Sequence, residues 1–128
     1  MFRKTDLLHM ICLSALLSGC QGIPLKEIRN RPTIKEYTTA QSINSVTACL
    51  TQNPSLEKLL ERFKVLTYPD GEKTELSLGA IQMGTFKKYY LITLERATSF
   101  SVVSLKRSPA NFPLLGEADL KAIIASCI

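Results

Sequence analysis

The sequence predicts an α+β domain, a four-stranded antiparallel meander with an N-terminal and a C-terminal helix packed on one face. Three observations carry this. Apolar residues recur at helical spacing near both ends, as Ile43, Val46 and Leu50, and again as Leu120, Ile123, Ile124 and Cys127. Between them lie short β-rich runs separated by turn signals, among them Asp70-Gly71 and Gly84. Each terminal helix also carries a cysteine, Cys49 or Cys127. Strands joined by short connections form an antiparallel meander, and amphipathic helices at its two ends bury their apolar stripes by covering a sheet face.

The elements follow in order. The first helix is expected over about Ala40 to Thr51. Asn53-Pro54 ends it and starts a second short apolar face made of Leu56, Leu59, Leu60 and Phe63, because Asn caps well and Pro suits a first turn. Strands are expected over Phe63 to Pro69, Lys73 to Gln82, Lys88 to Arg96 and Ser99 to Leu105. In the second of these, Leu76, Leu78 and Ala80 share a face. Residues 107–116 hold Pro109, Pro113 and Gly116 and read as a loop; the last helix spans about Glu117 to Ser126.

The N-terminus has a different character. Arg3 and Lys4 precede an apolar stretch from Leu7 to Leu17. At about a dozen residues it is too short for the roughly 30 Å hydrocarbon core of a bilayer, and it has the length of an export signal. Leu17-Ser18-Gly19-Cys20 follows. The alternative is a buried first helix that ends in Cys.

The four residues resemble the lipobox of bacterial lipoproteins. The resemblance implies a signal peptide over residues 1–19, cleavage between Gly19 and Cys20, and a diacylglyceryl thioether on Cys20. Two or three acyl chains anchor a protein stably where one does not. Gln21 stands where an Asp commonly retains Gram-negative lipoproteins in the inner membrane, so the implied location is the outer membrane, facing the periplasm. Residues 20–39 contain Pro24 and Pro32 and no sustained period, and read as a lipidated tether of up to roughly 60 Å ahead of a single domain over 40–128. The layout of that domain resembles a group of small bacterial lipoproteins.

Of four cysteines, Cys12 leaves with the signal and Cys20 takes lipid, so Cys49 and Cys127 remain. In an oxidising compartment they are expected to pair; two buried thiols or an intermolecular bond are the alternatives. Without histidine they make a poor zinc set, and no metal or cofactor is expected beyond the lipid.

The chain has one histidine, His9, inside the signal. The rest therefore lacks the commonest general base. Carboxylate pairs Glu57/Glu61 and Glu72/Glu75 sit among Lys and Arg and read as solvated surface, and no glycine loop for phosphate occurs. No catalytic residue is expected. The net charge of +5 is spread along the chain and suits an anionic membrane better than nucleic acid in an exported protein. Tyr89 and Tyr90 are adjacent in a strand, so one should point outward; with Lys87 and Lys88 it forms the candidate contact patch. The expectation is a non-enzymatic envelope lipoprotein that contacts the bilayer and another envelope protein. The alternative is a ligand-binding or hydrolase-inhibitor lipoprotein of the periplasm, which the basic charge disfavours against basic lysozymes.

Overall fold

The computed structural model describes residues 23–110 and 113–128. The expected signal peptide, its cleavage site and Cys20 lie outside them. The described chain is α+β: α1 (Leu25–Arg29), β1 (Thr33–Thr39), α2 (Ile43–Thr51), α3 (Pro54–Lys58), β2 (Arg62–Thr67), β3 (Lys73–Gln82), β4 (Thr85–Arg96), β5 (Ser101–Arg107) and α4 (Glu117–Ser126). The sheet order is β1-β5-β4-β3-β2, and every neighbouring pair is antiparallel.

Local side chains set the helix starts, at Asn53-Pro54 as the sequence predicts. Ser42 caps α2, its hydroxyl accepting from the Ser45 N–H at 3.1 Å. Pro54 opens α3 behind Asn53, whose side chain accepts from the Ser55 N–H at 2.9 Å. Glu117 and Asp119 in the first turn of α4 favour its positive N-terminal end. The meander β2–β5 is joined by tight turns with positive φ at Gly71 and Gly84.

The sheet has five strands, not four. The additional strand, β1, lies in the stretch read from the sequence as tether. Its residues Thr-Ile-Lys-Glu-Tyr-Thr-Thr are almost all exposed, because β1 is an edge strand whose ladder comes from β5 alone. A strand held by backbone pairing rather than by an apolar stripe leaves little periodicity to read. α1 precedes it, so residues 25–39 belong to the folded unit.

Alternation and register assign the two faces. Leu76, Ile92 and Leu105 stand in one cross-strand row, with Thr74, Leu94 and Val103 beside them. This face packs against Ile43, Val46 and Leu50 of α2 and Leu120 and Ile124 of α4 to form the main core. Cys49 and Cys127 are bonded, with Cα atoms 5.7 Å apart, so the staple joins α2 to α4 as the helical spacing implied. Closing a loop with a sequence separation of 78 residues restricts the unfolded chain by an amount equivalent to at most about 4.5 kcal/mol.

The far face is covered by α1, which lies over β4 and β5. Ile28 and Leu91 are fully buried there, outside the main core. The Lys106 ammonium donates to the Arg29 carbonyl at 2.6 Å and so caps the C-terminal end of α1.

One irregularity sets the phase of β4. Leu78 pairs with Tyr90, but the next pair is Gly79 with Lys88, so β4 carries an extra residue. The bulge shifts the alternation by one, and Tyr89 and Tyr90 both face the helices, 1% and 0% exposed. The expectation that one of them points outward is therefore corrected. Gly79 is required at this point, because a Cβ there would collide with the Lys87 carbonyl. Gly79→Ala is expected to lower stability by about 2 kcal/mol or more, roughly 10 °C in Tm. Gly116→Ala, whose Cβ would meet nothing closer than Asp119 Oδ2 at 3.7 Å, is expected to stay within about 1 kcal/mol. Thermal unfolding followed by circular dichroism separates them; equal Tm values would refute the assigned bulge.

Candidate functional site

The four residues of the expected contact patch separate in the structure. Tyr90 spans the core and donates its hydroxyl to the Leu115 carbonyl at 3.1 Å; burial pushes this phenol above its ordinary pKa. The Tyr89 hydroxyl accepts from the Gln82 amide at 2.7 Å. Both rings are structural and present no surface. Lys87 follows the helix-face phase, with its ammonium 6.0 Å from the Tyr89 ring. Lys88 points to the far face, where it donates to the Ile23 carbonyl at 3.5 Å. The bulge thus sends the two lysines to opposite faces and leaves no shared patch with the tyrosines.

Two carboxylates read as solvated are buried. Glu61 lies just before β2 and is 3% exposed. Its Oε1 accepts from the backbone N–H of Leu114 and of Leu115, at 2.9 and 3.1 Å. It pins the loop that leads into α4 to the start of β2, satisfying two amides that no regular ladder reaches. α3 ends at Lys58, so Glu57 and Glu61 do not share a helix.

Glu75 is the second, 1% exposed on the far face of β3. Arg29 of α1 grips it with two bonds, Nε to Oε2 at 2.8 Å and Nη2 to Oε1 at 2.6 Å. The Tyr68 hydroxyl donates to Oε1 at 2.7 Å. This forked geometry is the strong form of a carboxylate pair. The Arg29 guanidinium holds the Glu75 carboxyl below its ordinary pKa, against the opposing effect of burial. In return Glu75 raises both the Arg29 guanidinium and the Tyr68 phenol. The cluster borders a groove of about 190 Å³ that also touches Thr93, Glu95 and Lys106. No local pattern signals this cluster. Glu75 sits between Thr74 and Leu76, where alternation points it away from the apolar face, and only the placement of α1 makes that side an interior.

Two further clefts lie at opposite ends of the sheet. One, of about 300 Å³, is formed by Ser42, Ile43, Arg96, Thr98 and Phe100. The other, of about 390 Å³, is formed by Asn53, Leu56, Leu60, Glu61 and Phe63. The first offers hydroxyls and one guanidinium and the second a carboxylate engaged by amides; neither places a nucleophile beside a base. No three His, Cys, Asp or Glu gather as a metal site among the described residues.

No family model matches the chain, and no curated protein or solved structure matches it either.

The Glu75 cluster makes a pH prediction. A carboxyl whose folded pKa is depressed stabilises the fold above its unfolded pKa, and that stability is lost as pH falls through the folded value. Wild-type stability should therefore drop on acidification below about pH 4. Glu75→Gln should be less stable at neutral pH by about 1–2 kcal/mol and should lose less on acidification. Urea midpoints across an acid series test this; parallel acid limbs for the two proteins would show that Glu75 carries no linkage.

Proposed function

We propose that the chain is a membrane-anchored envelope lipoprotein, acylated at Cys20, that acts without catalysis as an interaction or accessory module. One observation carries the reading: a basic start, a short apolar run from Leu7 to Leu17, and Leu17-Ser18-Gly19-Cys20 stand in the order and spacing of a lipoprotein signal. The Cys49–Cys127 bond supports it, since disulfides persist in the oxidising compartments that such a signal leads to. The structural engagement of Glu75, Tyr89 and Tyr90 supports the non-catalytic part. Gln21 favours the outer membrane, with the domain in the periplasm.

Cys20→Ser is expected to abolish incorporation of labelled palmitate and to block cleavage after Gly19. In the unmodified protein, mass spectrometry should find an acylated N-terminal cysteine. Undiminished palmitate labelling of the Cys20→Ser protein would rule out this anchor.

A further inference from the structure

The four most exposed large apolar side chains among the described residues are Met83 at 104%, Leu60 at 77%, Leu114 at 58% and Ile81 at 57%. They come from three separate parts of the chain and gather at one end of the sheet. Met83 and Ile81 form the tip of the β3–β4 hairpin. The β2–β3 register pairs Arg62 with Gly79, which brings Leu60, two residues before Arg62, toward the level of Ile81. Leu114 is held there by the bond from its N–H to Glu61. Among the described residues, Leu60 and Met83 are also the two non-glycine residues with positive φ, at 57° and 51°. Glycine or asparagine would fit these positions with less strain. The chain instead places large apolar side chains there, in water.

A group of basic residues stands at the same end. Lys58, Arg62, Lys64, Lys87 and Lys88 lie on α3, the start of β2 and the hairpin. Of the nearby acids, Glu57 lies in α3, Glu61 is buried against the amides of Leu114 and Leu115, and Glu117 and Asp119 follow these two residues in the first turn of α4. The other end of the sheet carries Asp70, Glu72 and Glu95 together with Lys73 and Arg96. The exposed apolar side chains and a group of bases thus stand together at the hairpin end.

The chain also enters the fold at this end. The Ile23 carbonyl is bonded by Lys88, which is paired with Gly79 close to the hairpin. Three residue steps separate Ile23 from Cys20, a span of at most about 11 Å. An acylated Cys20 thus holds Lys88 close to the bilayer and cannot lift the domain clear of it.

We propose that the hairpin end of the sheet docks on an anionic lipid surface, that of the bilayer in which Cys20 is anchored. The proposal rests on the lipoprotein reading above. Met83, Leu60, Leu114 and Ile81 enter the interfacial region, and the ring of lysines and arginines meets the lipid phosphates. The strands then stand on the membrane with the Asp70 turn farthest from it.

The test uses the full chain, produced in cells that process it and reconstituted in vesicles of phosphatidylcholine with phosphatidylglycerol. One fluorophore is placed through Met83→Cys and, in a separate protein, through Asp70→Cys. Spin-labelled lipid quenches by proximity, while flotation and the acyl mass at Cys20 report the anchor independently. The expected result is several-fold stronger quenching at residue 83 than at residue 70, reduced by Lys64→Glu with Lys87→Glu. Equal quenching at both positions in protein that floats overturns the docking and leaves the anchor standing. Weak quenching at residue 83, with cross-linking from it to a second copy or another protein, assigns this end to a protein partner and also overturns the proposal. Protein that neither floats nor carries acyl mass removes the anchor reading and the docking with it.

Discussion

The Cys49–Cys127 bond is the constraint around which the rest of the molecule is arranged. Its loop contains α3, the whole β2–β5 meander and α4. α2 and α4 are 9 and 10 residues long, too short to be stable helices in water by themselves. Each gains its order from burying an apolar stripe on the sheet, and the bond fixes the two against each other over the same face. Large side chains from both helices and three strands then close into one core.

Among the described residues, α1, β1 and the part of α2 before Cys49 lie outside the covalent loop on its N-terminal side; α2 is tied to it through Cys49 itself, but α1 and β1 are not. They are held by weaker means, the β1–β5 ladder and the grip of Arg29 on Glu75. The ion pair matters because it converts an open sheet face into a covered one. Glu75 could not remain ionised and 1% exposed without the forked guanidinium and the Tyr68 hydroxyl. Arg29 keeps 38% of its side chain in solvent, so part of its charge remains hydrated, and the pair escapes the full cost of burying two ions. The consequence reaches the proposed anchor. With residues 25–39 folded onto the sheet, the distance that the chain can span between a lipid on Cys20 and the domain shrinks from tens of ångströms to about ten.

The bulge at Gly79 and Tyr89 shows how one backbone feature redistributes candidate functional groups. A regular β4 would have placed Tyr89 and Tyr90 on opposite faces. The extra residue puts both rings into the core, where Gln82 and the Leu115 carbonyl satisfy their hydroxyls. It also sends Lys88 to the face where the chain enters, so the lysine meets Ile23 rather than a partner's side chain.

Local chemistry by itself determined much of this protein. The spacing of Ile43, Val46 and Leu50 and of Leu120, Ile124 and Cys127 specified two helices facing a common core, and thereby the pairing of their cysteines. Turn residues and alternation specified the β2–β5 meander, with α4 at its expected limits. These features were legible because each depends on neighbours a few residues away, through helical pitch, strand pleat or turn geometry. The proposed lipobox over residues 17–20 rests likewise on a contiguous pattern. The tertiary structure alone decided the rest. β1 exists as a strand because β5 offers it an edge, and Thr33–Thr39 carries no apolar period of its own. Glu75 and Glu61 are interior because α1 and the loop before α4 close over them. The clustering of Leu60, Ile81, Met83 and Leu114 is set by register between strands and by the Glu61 bonds. Each depends on groups far apart in the chain, and pairing, burial and cross-strand phase arise only once those groups meet.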